Sequence, residues 1–188
     1  MEAKIFPDGN TRISQILDVA PGGIVLGKLD TDGQTPSYFV WQAGQPVRLL
    51  EPEPGDKVLS ERAISASGLV IGQVETKTGQ RYGILFSADA PPVVLPGLGG
   101  QNSLAVGLNA KGDVVGLSEG DVPQAVLWPA AGNGPVILSE VMDPALPPGF
   151  TLSRADDINE AGTIIANAVG PDGGVHMVRL PPDPIQPG

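Results

Sequence analysis

The chain has no cysteine in its 188 residues, which excludes both a disulfide framework and a thiolate metal site. It has one histidine, which excludes a metal site built from several imidazoles. Basic residues are scarce as well: 11 Lys and Arg stand against 21 Asp and Glu, and the formal net charge is −10. Because phosphate groups are bound through Lys and Arg, we expect no nucleic-acid partner.

Long apolar segments are also missing. No run approaches the roughly 20 apolar residues that a membrane-spanning helix requires, so we expect no membrane insertion. Residues 1–4 do not form the start of a secretory signal peptide. They leave two expectations for location, a cytoplasmic protein or a chain written without its leader.

Glycine and proline are abundant, with 26 and 20 residues. Short β-branched runs lie between them, and no window of about 11 residues has a helical period. This composition predicts one all-β domain with many turns.

Residues 61–100 contain the clearest structural unit, which we divide into four strands named a to d. Strand a covers residues 61–66, strand b 69–75, strand c 81–87 and strand d 93–95. Polar residues and a glycine separate strands b and c, as expected for a hairpin.

The unit recurs about four times along the chain. A glycine precedes strand b at positions 23, 68, 112 and 162, so the period is roughly 44 to 50 residues. A period of that size is typical of repeat arrays and propellers. Three copies of strand c end in an aromatic residue, at Trp41, Phe86 and Trp128, which predicts packing between blades rather than a sugar platform.

Two of the turns before strand b have a clear chemistry. In the segments that begin at Asn109 and Asn159, the asparagine side chain can accept backbone N–H groups ahead of it. Gly112 and Gly162 can then take the positive φ that closes the turn. We interpret these residues as turn formers rather than ligand contacts.

The segment Leu108–Gly116, followed by an Ala-Val-Leu-Trp strand at residues 125–128, resembles the bacterial "probable extracellular repeat, HAF family". Residues 158–162 and the Leu-Pro-Gly-Leu-Gly-Gly segment at 95–100 fit the same repeat. The resemblance spans about residues 14 to 180 and implies a secreted, propeller-like protein with no established chemistry. It favours an extracellular or cell-surface location. The sequence departs from the family pattern where Ser65 replaces the turn asparagine.

We therefore predict an all-β fold, a small four-bladed β-propeller of four-stranded antiparallel blades in a single domain over residues 1–180. The blades cover about residues 12–54, 59–100, 104–141 and 152–180, and a Pro-rich tail follows at 181–188. The fourth unit lacks a strand d, whereas residues 3–7 read as a spare strand. We predict that this N-terminal strand completes the last blade, which would remove an exposed edge. The alternative architecture is a half-ring completed by a second copy.

One end of the blades carries the variable loops between strands b and c and between consecutive units. Variable loops on a rigid frame commonly carry function, so this is the predicted binding face. Its candidate binding residues are Asp30, Asp32, Tyr38, Arg81, Tyr82, Glu119, Asp121 and His176.

We predict a non-enzymatic binding or interaction module for a protein or glycan ligand, with no cofactor and no metal. We expect a monomer, with a dimer as the alternative. Asp30-Thr31-Asp32-Gly33 resembles the opening of a calcium loop, but the later ligands do not follow, so we interpret it as a hairpin turn. Two other functions stay open. One is a carbohydrate-active enzyme that uses loop carboxylates, and the other is a purely structural repeat segment.

Overall fold

The computed structural model describes residues 13–29, 37–132, 134–142 and 145–182. Within these ranges the chain forms four antiparallel sheets that follow one another in sequence. The predicted all-β class is therefore confirmed. The predicted N-terminal strand at residues 3–7 lies outside the described residues.

The first three sheets have four strands each, in the order a, b, c, d. Sheet 1 comprises β1 (Ile13–Ala20), β2 (Ile24–Leu29), β3 (Ser37–Trp41) and β4 (Arg48–Leu49). Sheet 2 comprises β5 (Lys57–Ile64), β6 (Val70–Glu75), β7 (Arg81–Phe86) and β8 (Val93–Leu95). Sheet 3 comprises β9 (Ser103–Leu108), β10 (Val114–Ser118), β11 (Gln124–Trp128) and β12 (Val136–Ile137).

Sheet 4 has three strands within the described residues, β13 (Thr151–Ile158), β14 (Ile164–Val169) and β15 (Val175–Leu180). A one-turn helix, α1 (Leu138–Val141), follows β12, and a 3₁₀ turn, Leu98–Gly100, follows β8. Strand d of sheet 3, β12, therefore ends at Ile137, and the next residue, Leu138, begins the helix and is fully buried.

The turn between strands a and b is the same in all four sheets. Its glycine has a positive φ of 75 to 96° and donates its N–H to the carbonyl three residues earlier. L-residues with a Cβ rarely adopt this conformation, which explains why glycine recurs at this position. The residues are Gly23, Gly68, Gly112 and Gly162.

The asparagine predicted to form the turn does so in sheets 3 and 4. The Asn109 side-chain oxygen accepts the N–H groups of Lys111 and Asp113, both at 3.0 Å. Asn159 accepts the equivalent pair at 3.0 and 2.9 Å. In sheet 2 the Ser65 hydroxyl accepts the N–H of Leu69 at 3.2 Å.

Three hydrophobic clusters join consecutive sheets. The first lies between sheets 1 and 2 and includes Leu26 and Val70. The second, between sheets 2 and 3, includes Ile71 and Trp128. The third, between sheets 3 and 4, includes Val115. Each sheet therefore buries apolar side chains against its neighbours in the chain.

Candidate functional site

The hairpins between strands b and c share one end of the sheets with the links between consecutive units. In sheet 2, for example, β5 begins at Lys57, and Lys57 pairs with Glu75 at the end of β6. We call this end the loop end and the opposite end, with the a–b turns, the turn end. The loop end is the face on which the sequence predicts the binding residues.

Three of the predicted residues converge on the link between sheets 2 and 3. The backbone N–H of Arg81 donates to the Asn102 side-chain oxygen at 2.9 Å, and the Tyr82 hydroxyl donates to the Gly100 carbonyl at 3.1 Å. From the other side, the Glu119 N–H donates to the Asn102 carbonyl at 2.8 Å. We call this arrangement the link cluster, and it fixes two neighbouring sheets to one connecting segment.

The Arg81 and Glu119 side chains of the link cluster are exposed, whereas Tyr82 is half-buried and packs against the hydrophobic cluster between sheets 1 and 2. Arg81 is exposed and forms an ion pair with Glu75, with 3.1 Å between Nε and the carboxylate oxygen. Glu119 and Asp121 are also exposed, and Val122 between Asp121 and Pro123 is 60% exposed. Charged and apolar groups therefore stand together on the β10–β11 hairpin.

The base of that hairpin is buried and hydrogen-bonded. Ser118 is buried, and its hydroxyl accepts the Leu98 N–H at 2.9 Å. The same hydroxyl lies 3.5 Å from the Gln101 side-chain oxygen. A rigid base beneath an exposed tip is an arrangement suited to binding, because few side chains lose freedom when a ligand docks.

His176 occupies a separate part of the loop end. It lies in β15, is exposed, and makes an edge-to-face contact with Phe150 at 5.2 Å between ring centroids. Phe150 belongs to the long link before sheet 4. The sequence predicts His176 as a binding residue, but it did not indicate Phe150 as its neighbour.

Tyr38 lies at the junction of sheets 1 and 2 rather than on the surface. Its side chain is buried, with 6% exposed, and belongs to the hydrophobic cluster between those sheets. It faces Glu61 of β5, whose two carboxyl oxygens are buried and accept no hydrogen bond from the residues that the structure describes. The structure therefore places Tyr38 against an internal carboxyl group.

Burial raises the pKa of Glu61 from an ordinary 4.5 to about 8. Its own backbone N–H, the Tyr38 hydroxyl and the Lys28 ammonium oppose this rise without reaching hydrogen-bond geometry. Burial likewise raises the pKa of Tyr38 to about 12, and the nearby Glu61 carboxylate adds to the rise. Glu61 is consequently protonated in much of the folded population at neutral pH.

Sequence reasoning missed the Glu61–Tyr38 pair. A signal was present, since Glu61 is an acidic residue inside a predicted strand rather than in a loop. Its partner comes from the preceding unit, 23 positions earlier in the sequence. The repeat pattern locates strands within a unit, whereas this contact depends on how two units stack.

A cavity of about 340 Å³ lies at the turn end between sheets 1 and 2. Ile24 and Val40 contribute apolar walls, and Arg48 lies at its edge. The Arg48 guanidinium donates to the Ser87 carbonyl and, at 3.3 Å, to the Gly68 carbonyl. Burial lowers the pKa of Arg48, and Asp89 opposes that effect. The guanidinium therefore ties the two sheets together at this end.

Asp30 and Asp32 lie outside the described residues. In the part of the chain that the structure describes, no three His, Cys, Asp or Glu side chains gather in a way that could hold a metal ion. No helix in that same part is long and apolar enough to span a membrane.

Comparison with known proteins gave no family model and no curated protein that matches this chain.

Proposed function

We propose that this protein is a non-enzymatic binding module that presents its loop end to a protein or glycan ligand. The link cluster carries the proposal, because one connecting segment fixes Arg81, Tyr82 and Glu119 from two sheets. The exposed Arg81, Asp121 and Val122 then form a mixed surface on that fixed base. Such a surface offers charge, hydrogen bonds and apolar contact to a ligand, and few of its side chains lose conformational entropy on binding.

The alternative function, glycoside cleavage by paired loop carboxylates, has less support. Such an enzyme needs two carboxyl groups at a defined separation, one of them with a raised pKa. Glu61 has the raised pKa, yet it lies between sheets 1 and 2 and faces Tyr38. Glu119 and Asp121 are exposed on a hairpin of sheet 3.

The proposal extends to the architecture. We infer that the four sheets are propeller blades. The first three are antiparallel in the order a to d, the fourth shows the order a to c within the described residues, and consecutive sheets pack through one hydrophobic cluster. Closure by a strand at residues 3–7 stays a prediction. The resemblance to the HAF repeat supports a location outside the cell or at its surface.

The test compares two variants on a panel of polysaccharide fragments and solubilised surface proteins. The loop-end variant carries Arg81→Ala with Asp121→Ala, and the matched turn-end variant carries Lys111→Ala with Gln45→Ala, all at exposed positions. We expect one ligand class to bind the unmodified protein and the turn-end variant. The loop-end variant should bind it at least about tenfold more weakly.

Two results would contradict the proposal. Equal binding by the two variants would show that the ligand does not bind at the link cluster. Release of shortened saccharides during incubation, abolished by Glu119→Gln, would establish the enzyme instead.

A further inference from the structure

The cavity at the turn end between sheets 1 and 2 is lined by residues that differ from their counterparts in sheets 2 and 3. In each of the first three sheets, one row of paired residues crosses strands b, c and d on the same face. The row is Leu26, Val40 and Arg48 in sheet 1, Ile71, Leu85 and Val93 in sheet 2, and Val115, Leu127 and Val136 in sheet 3. Sheet 1 therefore has a smaller apolar residue in strand c and an arginine in strand d.

Val40 and Arg48 both line the cavity, whose volume is about 340 Å³. Because valine is smaller than the leucine of the other two sheets, strand c of sheet 1 fills less of the space beside it. Ile24 and Pro46 add apolar surface, and all of the lining residues belong to the described part of the chain. The volume is at the lower end of the range for small-molecule sites, roughly 300–1,000 Å³, so the cavity suits a ligand with a short apolar body.

The Arg48 guanidinium provides the positive charge at this cavity. It donates to the Ser87 and Gly68 carbonyls, which hold it in place, and a guanidinium has further N–H groups beyond those that two bonds use. Among the described residues, no carboxylate lies within ion-pair distance of it. The exposed Asp89 acts on it electrostatically from farther away. A fixed cation with unused donors therefore stands beside apolar walls.

We propose that this cavity binds a small carboxylic acid in its ionised form, with the carboxylate paired to Arg48 and the apolar body against Ile24 and Val40. A guanidinium and a carboxylate match each other through two parallel hydrogen bonds. The pair also compensates a charge that burial makes costly. This site is independent of the ligand proposed for the loop end, because it lies at the opposite end of the sheets and takes a different class of molecule.

Titration of the full chain with hexanoate, followed through backbone amide NMR signals, tests this site. We expect saturable shifts at Ile24, Gly68 and Ala88, which line the cavity. Hexanamide has the same apolar body without the charge. It should bind at least about tenfold more weakly, because it loses the charge-assisted hydrogen bonds to Arg48. Equal affinity for the two probes, or no saturable shift at the cavity with hexanoate, would overturn the proposal.

Two variants test the site while Arg48 keeps its bonds to sheet 2. Val40→Leu introduces the side chain that stands at Leu85 and Leu127, and it should weaken the binding of both probes by filling the cavity. Asp89→Asn removes a carboxylate that competes for the Arg48 charge, so it should strengthen the binding of hexanoate and leave that of hexanamide unchanged. A hexanoate affinity that neither substitution alters would show that the probe binds elsewhere.

A third variant, Arg48→Met, removes the charge itself. Arg179→Met is the matched control, because Arg179 is exposed in β15 of sheet 4. We expect Arg48→Met to lose the preference for hexanoate over hexanamide and Arg179→Met to retain it. A preference that persists in Arg48→Met would contradict the proposal, since the carboxylate would then pair with another group.

Discussion

At the scale of the residue, Glu61 links the folded state to pH. Its pKa is about 8 in the folded chain and ordinary in the unfolded chain, so the folded state holds a proton that the unfolded state releases between pH 4.5 and 8. The stability that this group contributes is therefore fully present below pH 4.5 and is lost as pH rises to about 8.

We predict that Glu61→Gln removes this dependence, because an uncharged amide carries no proton equilibrium. Unfolding in urea, followed by tryptophan fluorescence, should show the variant gaining stability relative to the parent as pH rises from 4.5 to 8. Glu119→Gln is the control, since Glu119 is exposed. A Glu61→Gln profile parallel to that of the parent would show that the carboxyl group is not buried as described.

Small residues recur at one position of strand b, at Gly27, Gly72, Gly116 and Ala166, and the sequence predicts that backbones crowd together there near a central axis. The structure identifies the neighbour in sheets 2 and 3. A Cβ at Gly72 or Gly116 would overlap a backbone carbonyl of strand a, from Ser60 and Leu104 respectively. Strand a has a register shift at both places. A β-bulge leaves no sequence signal in strand b beyond the glycine itself, so its position could not be predicted.

At the scale of the element, the a–b turn of sheet 3 depends on Asn109. The residue is 1% exposed, and its side chain accepts two backbone N–H groups and donates to Asp113 at 3.0 Å. We predict that Asn109→Ala lowers the free energy of unfolding by about 1–3 kcal/mol, the cost of leaving buried donors without partners.

Asn159→Ala is the matched comparison for that prediction. Asn159 makes the same two bonds in an exposed turn, where water can replace the lost oxygen. Urea unfolding should therefore show a smaller loss than for Asn109→Ala. Equal losses in the two variants would mean that burial of the turn is irrelevant to its stability.

Most strands in the described residues could be predicted from sequence. In sheet 2, strand d was predicted at residues 93–95, where β8 lies, and strand b differs from β6 by one residue. Strand a was placed too late, since β5 begins at Lys57 rather than residue 61. Its two register shifts interrupt the alternation of buried and exposed residues, and that alternation is the usual strand signal.

At the scale of the whole molecule, the outer edge of β15 has no strand d within the described residues, unlike the edges of β3, β7 and β11. We predict that removal of residues 1–9 lowers the melting temperature by well over a few degrees, because the predicted strand at 3–7 would no longer be available. At this chain length 1 kcal/mol corresponds to about 2–4 °C.

Removal of residues 183–188 is the control for that deletion, since the Pro-rich tail is predicted to contribute no strand. Calorimetry of the two truncated chains separates the effects. A melting temperature that the N-terminal deletion leaves unchanged would show that residues 3–7 do not form a strand of the last sheet.

The candidate site was less predictable than the fold. The sequence identified Arg81, Tyr82 and Glu119, because they flank hairpins at one end of the units. It could not show that Tyr38 turns inward to Glu61, since that contact depends on the stacking of two units. Positions within a unit follow from the repeat, whereas contacts between units require the packed structure.

Among the described residues, each of the three clusters is shared by two consecutive sheets. In such a stack the free energy is close to a sum of terms for single units and for adjacent pairs. Duplication of one unit would therefore lengthen the protein by a whole sheet without inventing a new kind of contact. Growth and loss of units in descendants of this chain can proceed in steps of about 45 codons, and each step would leave the remaining sheets intact.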